Sequence, residues 1–260
     1  MDHNIEMLTR AAKLAEAAYD DTIPGAQKFE NKRTSTTAFL LRDPQKGEDW
    51  VVFKGTAEKK DWAFNLLFFF IPVKKAWIHL GFYLAQQGVW KDIREQLNPA
   101  NKTVLVGHSL GGACAEVSAH LCREFSDLHL FAFGKPNTFS KFKKCRMDHL
   151  KSFYSIVHGS DVVARIPRVG YRPSSGKNLK QLWFSNAGED YINPSKELKV
   201  ADWSVKDSVE DHMMSGYCQR ISSFCTDCLK TSLAAHDTEM QTASNHRRKR
   251  RDKKRKRKHG

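Results

Sequence analysis

A serine with the surroundings of an activated nucleophile lies near the middle of the chain. Gly107-His108-Ser109-Leu110-Gly111 follows the apolar run Thr103–Val106 and precedes small, helix-tolerant residues at 112–119. A Gly-x-Ser-x-Gly pentapeptide between a strand and a helix is typical of a sharp turn that exposes the serine hydroxyl to a base. The new helix directs free backbone N–H groups towards an oxyanion. The pattern predicts Ser109 as a nucleophile, with a glycine-rich turn in some other α/β protein as the alternative.

A carboxylate that could orient the base must lie on the same side of the sheet as Ser109. In proteins with this turn the acid follows the serine in sequence, in a loop at the C-terminal end of a strand. Asp161 follows the predicted strand Phe153–Val157, whereas Asp127 and Asp148 precede their strands. We therefore predict Asp161 as the acid. The alternative is an aspartate that only caps a turn.

The base must be a histidine that follows the acid. His212 lies in the body of the domain, whereas His246 and His259 lie in polar, basic sequence that would not hold an imidazole in place. His212 is thus the predicted base, chosen ahead of His236 as well. Its role would be to take the proton of Ser109 and return it to the leaving group, while Asp161 fixes its tautomer. The alternative is a surface or helix-terminal histidine.

The six cysteines offer a weak alternative chemistry. Cys225-Thr-Asp-Cys228, with Cys218 and His212 upstream, could be drawn as a Cys₃His zinc site. A single Cys-x-x-Cys without a second pair is a weak signal, and His212 has another predicted role. We therefore predict no metal and no organic cofactor. Cys114 and Cys122 fall in the helix after Ser109 and are predicted to be core residues.

Alternating apolar strands and helices indicate the architecture that positions these residues. Near-continuous apolar strands between helices predict an α/β fold whose sheet is covered on both faces. Strands are predicted over Thr36–Leu41, Trp50–Phe53, Thr103–Val106, Leu128–Phe133 and Phe153–Val157, with a further candidate at Leu182–Phe184. Helices are predicted over 4–19, about 82–96 and 112–125.

The strong positive charge of the chain is concentrated at one end. Residues 247–258 carry eleven basic residues and one acid, a net charge of +10 out of +14, which leaves +4 for the rest. We predict one domain over 1–236, then a polar linker and disordered basic tail over 237–260. The tail could bind an import receptor, nucleic acid or an anionic membrane, or have no specific role. No protein partner of the domain itself can be inferred.

The N-terminal residues predict a helix of the domain rather than a leader. Ile5, Leu8, Ala12, Ala15 and Tyr19 recur at helical spacing among charged residues, without a continuous apolar segment. The longest apolar run, Leu66–Val73, is much shorter than the roughly 20 residues that span a bilayer. These features predict an intracellular protein, cytoplasmic or nuclear, whose cysteines are mostly free thiols.

Six short motifs occur in an order that resembles the class 3, fungal-type lipase family of α/β-hydrolases. The resemblance extends over about residues 5–220. The motifs are Phe53-Lys54-Gly55-Thr56, Ile78-His79-Leu80-Gly81-Phe82, Gly107-His108-Ser109-Leu110-Gly111-Gly112, Phe133-Gly134-Lys135-Pro136, Ser160–Pro167 and Asp211-His212.

The resemblance implies an α/β-hydrolase fold, with a mostly parallel central sheet and helices on both faces. It also implies an oxyanion hole formed by Thr56, through its backbone N–H and hydroxyl, and by the N–H of Leu110. Two positions depart from the family pattern. Lys54 replaces the usual arginine, and Asn137-Thr138 replaces the Arg-Val that follows the proline.

An aromatic segment between the first two motifs corresponds to the mobile lid helix of the family. Trp62, Leu66, Phe69 and Phe70 recur at helical spacing, so one apolar face would cover an acyl pocket in water and turn outward on lipid. Additional apolar residues in the same segment favour the alternative of a core helix or strand.

Together these observations predict a serine carboxylic-ester hydrolase. It would act on lipid esters, as a triacylglycerol lipase or a phospholipase A1-like enzyme, through an acyl-serine intermediate. Three alternatives remain: a catalytically silent lipase-like interaction module, an esterase for small soluble esters, and a nucleic-acid-binding protein. The nucleic-acid alternative depends on the tail alone, since the rest of the sequence lacks a basic stripe with interleaved aromatic residues.

Overall fold

The structure is a computed structural model that describes residues 3–56, 69–143, 145–167, 169–185, 190–193 and 210–223. The described residues end at 223, so neither the boundary at 236 nor the basic tail lies among them. None of the described helices is long and apolar enough to cross a membrane.

An eight-stranded sheet forms the centre of the fold. Its strands run in the order β1-β2-β3-β6-β7-β9-β11-β12, and the five from β3 to β11 are parallel. They are β1 (Gln27–Asn31), β2 (Thr36–Asp43), β3 (Glu48–Phe53), β6 (Lys102–His108), β7 (Leu128–Phe133), β9 (Ser152–His158), β11 (Leu179–Phe184) and β12 (Asp190–Ile192). The antiparallel pairs lie at the two sides, β1-β2-β3 on one and β11-β12 on the other.

Helices cover both faces of this sheet. Helices α1 (His3–Ala17) and α4 (Met214–Ser223) pack on one face, and α2 (Leu80–Arg94) and α3 (Leu110–Leu121) pack on the other. Alternate residues of a strand point to opposite faces of the sheet and pack into the two hydrophobic cores, one on each face. Val51 and Phe53 of β3 face α2 and α3, while Trp50 and Val52 face α1 and α4. Because both faces are buried, every residue of β3 and β7 is buried, which explains the apolar runs Trp50–Phe53 and Leu130–Phe133.

A second, small sheet lies beside the main one. It has the order β10-β8-β5-β4 and consists of β4 (Phe70–Val73), β5 (Ala76–His79), β8 (Phe139–Ser140) and β10 (Tyr171–Arg172). Backbone hydrogen bonds from His79 N to Thr138 O (3.1 Å) and from Asn137 N to Ile166 O (2.9 Å) join it to the loops after β7 and β9. It therefore lies at the C-terminal edge of the parallel strands.

The predicted α/β architecture is confirmed, with a mostly parallel central sheet and helices on both faces. All six predicted strands and three predicted helices are present with shifted ends. The N-terminal helix stops at Ala17, and a short 3₁₀ turn, Ala18–Asp20, follows it. Helix α4, four short strands of the small sheet and two edge strands were not predicted. The strands have two to five residues each, and such short segments carry little periodicity.

Candidate active site

The strand–turn–helix around Ser109 has the geometry of a tight elbow. Ser109 connects β6 to α3 with φ of 55°, a left-handed conformation that a non-glycine residue adopts only where the surroundings enforce it. The flanking glycines make the turn sterically allowed. A Cβ at Gly107 would lie 2.2 Å from the Gly111 carbonyl oxygen, and a Cβ at Gly111 would lie 2.2 Å from that of Phe53. The helix can therefore begin directly against the ends of β6 and β3.

The three residues predicted as nucleophile, base and acid form one hydrogen-bonded chain. His212 Nε2 is 2.9 Å from Ser109 Oγ, and His212 Nδ1 is 2.9 Å from Asp161 Oδ2. Asp161 and Ser109 are almost completely buried, while the His212 side chain keeps 17% of its accessible surface. These residues are 52 and 51 positions apart in sequence order, and the fold brings them within hydrogen-bonding distance.

Asp161 is held by donors from two elements. Its Oδ1 accepts hydrogen bonds from the backbone N–H groups of Val163 (2.8 Å) and Ala164 (3.4 Å). Its Oδ2 accepts one from the Tyr217 hydroxyl of α4 at 2.5 Å, in addition to the contact with His212. Burial, together with the nearby Asp161 carboxylate, raises the pKa of Tyr217 far above its ordinary value, so the phenol keeps its proton and donates it.

The residue before the histidine joins the loops that carry the base and the acid. Asp211 Oδ2 accepts a 2.6 Å hydrogen bond from the backbone N–H of Ser160, which directly precedes Asp161. Asp211 also contacts His158, whose Nδ1 is 3.2 Å from the Asp211 carbonyl oxygen. The separation between Asp161 and His212 is therefore fixed on both sides.

The segment predicted to form the oxyanion hole lies beside the start of α3. The backbone of Phe53 and Lys54 lies against Gly111, in the first turn of α3, which Leu110 begins. The first N–H groups of a helix have no acceptor within the helix, so that of Leu110 is available to an oxyanion. Thr56 and Leu110 are both partly exposed.

Lys54, where the family has arginine, forms an ion pair at this segment. Its Nζ is 2.9 Å from Asp21 Oδ2, in the turn that follows α1. The Lys54 and Lys28 side chains together lower the pKa of the Asp21 carboxyl. The lysine thus keeps the charge that the arginine would supply and connects the segment to the N-terminal region.

The aromatic residues predicted as a lid or acyl pocket are only partly described. Trp62 and Leu66 lie outside the described residues. Phe69 is 58% exposed, directly before β4. Phe70 lies in β4 rather than on a helix: it pairs with His79, and its ring contacts that of Tyr171, with centroids 4.5 Å apart and the planes tilted by 42°. The helical spacing therefore fails at Phe70, because the following residues pair as a hairpin with Ala76–His79.

Two groups near the triad were missed by sequence reasoning. The Tyr19 hydroxyl lies 2.6 Å from Nδ1 of His108, and the His108 ring lies against the ring of His212. Tyr217 bonds to Asp161, as described above. Tyr19 appeared in the sequence only as the last apolar position of a helix, and His108 only as the variable residue before Ser109. No short-range signal connects either of them to the base.

The described cysteines are thiols, three of them buried, and Cys114 and Cys122 are core residues as predicted. Burial raises the pKa of the Cys114 thiol to about 12. Cys225 and Cys228 lie outside the described residues, and His212, the fourth member of the drawn zinc site, is bonded to Ser109 and Asp161. Among the residues that the structure describes, no three His, Cys, Asp or Glu side chains are grouped so that they could hold a metal ion.

The sheet order, the elbow after β6 and the Ser–His–Asp chain at the C-terminal strand ends define an α/β-hydrolase. The family model "Lipase (class 3)" matches residues 50–171, which carry Ser109 and Asp161. Through this segment the chain resembles the class 3 lipase family.

Individual relatives agree with this assignment. A protein named secreted mono- and diacylglycerol lipase 1, from Fusarium solani, is 28% identical over 183 residues, which are 65% of this chain and 54% of the relative. The chain thus spans about half the length of that relative. The fold resembles the lipase of Rhizopus microsporus var. chinensis, with a TM-score of 0.64 and 23% identity over 82% of this chain and 86% of that one. It is equally similar to the Rhizomucor miehei lipase–propeptide complex, with a TM-score of 0.64 and 20% identity over 83% and 80%.

The prediction of an intracellular location, cytoplasmic or nuclear, is wrong on this comparison, because the Fusarium relative is a secreted lipase. The prediction rested on an amphipathic helix at the N-terminus. That helix packs in the core of the domain, and a helix with a structural role carries no information about export.

Proposed function

We propose that this protein is a carboxylic-ester hydrolase that cleaves lipid esters through an acyl-Ser109 intermediate. The observation that carries the proposal is the continuous hydrogen-bonded chain from Ser109 Oγ through both nitrogens of His212 to Asp161 Oδ2, with 2.9 Å at each contact. A serine, a neutral imidazole and a buried carboxylate in this order are the parts that acyl transfer needs.

The geometry supports the following reaction. His212 Nε2 takes the Ser109 proton as Oγ attacks the ester carbonyl carbon, and Asp161 stabilises the imidazolium that forms. The tetrahedral intermediate collapses, the C–O bond to the alcohol breaks, and His212 returns the proton to the departing alkoxide. Water, deprotonated by His212, then attacks the acyl carbon, the bond between that carbon and Ser109 Oγ breaks, and His212 returns the proton to Oγ as the acid leaves. Atoms and charge balance without a metal or an organic cofactor.

The oxyanion of the tetrahedral intermediate would be stabilised by N–H groups at the elbow. We assign this role to the backbone N–H groups of Leu110 and Thr56, assisted by the Thr56 hydroxyl. The contact of Gly111 with the Phe53 carbonyl supports the assignment, since it brings both segments to one side of Ser109. Loss of one such donor typically costs a factor of about 10²–10³ in turnover.

A lipid aggregate is the substrate form that the surface near the site supports. Phe69, Phe142 and Val169 expose 58%, 75% and 79% of their surface. All three are sequence neighbours of residues that meet at Gly170. Val169 precedes Gly170, Phe69 precedes Phe70, whose ring lies against Gly170, and Phe142 follows Lys141, whose N donates to Gly170 O at 2.8 Å. Exposed apolar groups that lie close together on a protein surface favour contact with a lipid surface. The Fusarium relative, named a mono- and diacylglycerol lipase, supports acylglycerols ahead of phospholipids.

Hydrolysis of p-nitrophenyl esters of rising acyl length, beside emulsions of diacylglycerol, triacylglycerol and phospholipid, tests this function. We expect turnover of every p-nitrophenyl ester, the highest rates on acylglycerol emulsions, and loss of all activity in Ser109→Ala. Activity confined to the shortest soluble esters would instead identify a small-ester esterase. A protein inactive on the whole panel would be a silent lipase-like module.

We further propose that the basic residues 247–258 bind the anionic surface on which the substrate lies. Each lysine or arginine near an anionic leaflet contributes on the order of 1 kcal/mol, so partial engagement of eleven such residues is enough for recruitment. The rest of the chain carries only +4, so the tail dominates the long-range attraction. Nucleic acid is the competing polyanion.

A further inference from the structure

The side chain of His108 forms a second imidazole beside the proposed base. It ends β6, directly before Ser109, and is 3% exposed. Its ring centroid lies 4.6 Å from that of His212, with 32° between the two planes. The His108 ring therefore covers one face of His212, while the two edge nitrogens of His212 contact Ser109 and Asp161.

Tyr19 fixes the orientation of His108 from the opposite direction. Its hydroxyl lies 2.6 Å from His108 Nδ1, and its ring packs edge-on against the imidazole with centroids 5.7 Å apart. The contact joins residues 89 positions apart. Tyr217, which donates to Asp161, packs edge-on against His108 at 5.6 Å. Among the described residues, the titratable side chains that contact the His108 ring are those of Tyr19, His212 and Tyr217.

Two imidazoles this close in a buried site cannot both carry a positive charge. Burial holds the pKa of His108 well below its usual range, and a positive charge on His212 would lower it further. Burial also raises the pKa of the Tyr19 phenol, so this group keeps its proton. A protonated phenol donates to an unprotonated Nδ1, which leaves the ring proton of His108 on Nε2.

The second nitrogen is consistent with that tautomer. His108 Nε2 is buried and has no hydrogen-bond partner among the described residues, so no contact at Nε2 competes with the Tyr19 bond at Nδ1. Protonation at Nδ1 would also leave the Tyr19 proton without this acceptor.

Tyr19 also contacts the segment proposed to hold the oxyanion. A Cβ at Gly55 would lie 2.0 Å from the Tyr19 hydroxyl and 2.9 Å from the His108 carbonyl oxygen, so the glycine allows the phenol to reach between them. Two residues further along, Asp21 forms the ion pair with Lys54. The turn after α1 therefore contacts Lys54 and Gly55, directly before Thr56, and His108, directly before Ser109.

We propose that Tyr19 and His108 are positioning residues for His212: Tyr19 holds His108 as a neutral Nε2–H imidazole, and that ring supports the face of His212 during proton transfer. The inference rests on the proposed hydrolysis, in which His212 becomes an imidazolium. A neutral His108 ring leaves the transferred proton on His212, whereas a positively charged His108 would lower the basicity of His212. Neither residue touches the reacting atoms.

Side-chain nitrogen NMR on ¹⁵N-histidine-labelled full-length protein tests the electrostatic part without using activity. We expect one histidine that stays neutral from pH 5 to 8, with Nε2 protonated and Nδ1 accepting. Its signals should vanish in His108→Asn, and its tautomer preference should weaken in Tyr19→Phe. A His108 that carries its proton on Nδ1, or that titrates within this range, would overturn the inference.

Kinetics on a soluble ester test the positioning part. We expect Tyr19→Phe and His108→Asn each to lower kcat about tenfold with little change in KM, since placement of the base matters in the transition state. The double variant should lose no more kcat than the more impaired of the two single variants, because the pair acts as a unit. Tyr83→Phe on α2 and His129→Asn at the start of β7 are the matched controls, and we expect both to keep wild-type kcat.

The pH profile separates neutral support from a charge effect. Replacing a neutral His108 by asparagine should leave the acid-limb midpoint of kcat/KM within about 0.3 unit of wild type. Removal of a cation would raise that midpoint by about one unit, which would contradict the proposal. Unchanged kcat in both variants would overturn the positioning role while the hydrolase stands. A wild type without any esterase activity would remove the hydrolase, and the NMR result would still decide the tautomer.

Discussion

Asp161 shows, at the scale of single residues, how the site maintains a buried negative charge. Two backbone N–H groups, the Tyr217 hydroxyl and the His212 ring all surround its carboxylate. An ionised carboxylate without such donors would be costly to bury. These contacts also fix the direction in which Oδ2 points at His212. Orientation of the base therefore depends on α4 as well as on the loop after β9.

Tyr217→Phe should lower kcat about tenfold or more while leaving KM nearly unchanged. The substitution removes one hydrogen bond to a charged group, typically worth about 1.5–3 kcal/mol, without changing the shape of the ring. Steady-state kinetics on a soluble ester measure the effect, with Tyr83→Phe as control. Unchanged kcat would mean that the backbone donors alone orient Asp161.

Ser109, Asp161 and His212 could be predicted because each depends on local sequence: a strand, its end, and the order of residues along the chain. Tyr19 and Tyr217 could not. Their partners are 89 and 56 positions away, and the contacts exist only after the sheet has formed. A tyrosine on an apolar helix stripe has the same sequence pattern whether its hydroxyl is idle or bonded.

At the scale of elements, the buried carboxylate of Glu48 contacts side chains of α1, β3 and β6 at the start of the parallel strands. Glu48 begins β3, and its carboxylate bonds to Lys102 of β6 (2.8 Å), Trp50 (3.2 Å) and Arg10 of α1 (3.3 Å). Burial alone would raise its pKa, but the bonds to Lys102 and Trp50 and the charges of Lys102 and Arg10 lower the pKa overall. The folded state therefore favours the ionised form.

Glu48→Gln should reduce the free energy of unfolding at pH 7 by roughly 1–3 kcal/mol. Because the folded-state pKa lies below the unfolded value, this contribution is present above the unfolded pKa and disappears as the pH falls through the folded one. Urea unfolding should show a large difference in the free energy of unfolding between variant and wild type at pH 7 and a small difference near pH 3. Glu30→Gln, exposed on β1, is the control. A difference that does not shrink in acid would contradict the account.

Buried strands were the most predictable elements, since both faces of β3, β6 and β7 require apolar residues. The small sheet was not predictable. Phe70 shows why: its aromatic neighbours suggested a helix face, but its pairing with His79 places it in a strand, where its ring contacts Tyr171. Tertiary pairing overrides local periodicity in such short segments.

At the scale of the whole molecule, exposed apolar residues and basic charge are the two features suited to a lipid surface. We expect Phe69→Ser combined with Val169→Ser to weaken binding to acylglycerol emulsions about tenfold and to leave kcat on soluble esters unchanged. Burial of two such side chains in lipid is worth about 1.5–3 kcal/mol each when complete. Co-sedimentation with emulsion droplets measures the effect. Leu84→Ser, at an exposed leucine of α2, is the control, and equal loss there would remove the assignment.

Removal of residues 246–260 should leave turnover of soluble esters unchanged and abolish binding to phosphatidylserine vesicles. In the full chain that binding should weaken steeply between low and physiological salt, because exposed charges are screened. Phosphatidylcholine vesicles are the control. If the truncated protein still binds phosphatidylserine but no longer binds nucleic acid, the partner of the tail is nucleic acid and the membrane proposal fails.

Labelling with a fluorophosphonate probe, followed by mapping of the modified peptide, tests the central claim that Ser109 is a nucleophile activated by His212. The account predicts one label per chain, on Ser109, absent in Ser109→Ala and at least about 10³-fold slower in His212→Ala. A label on another residue, or labelling that survives Ser109→Ala, would contradict it.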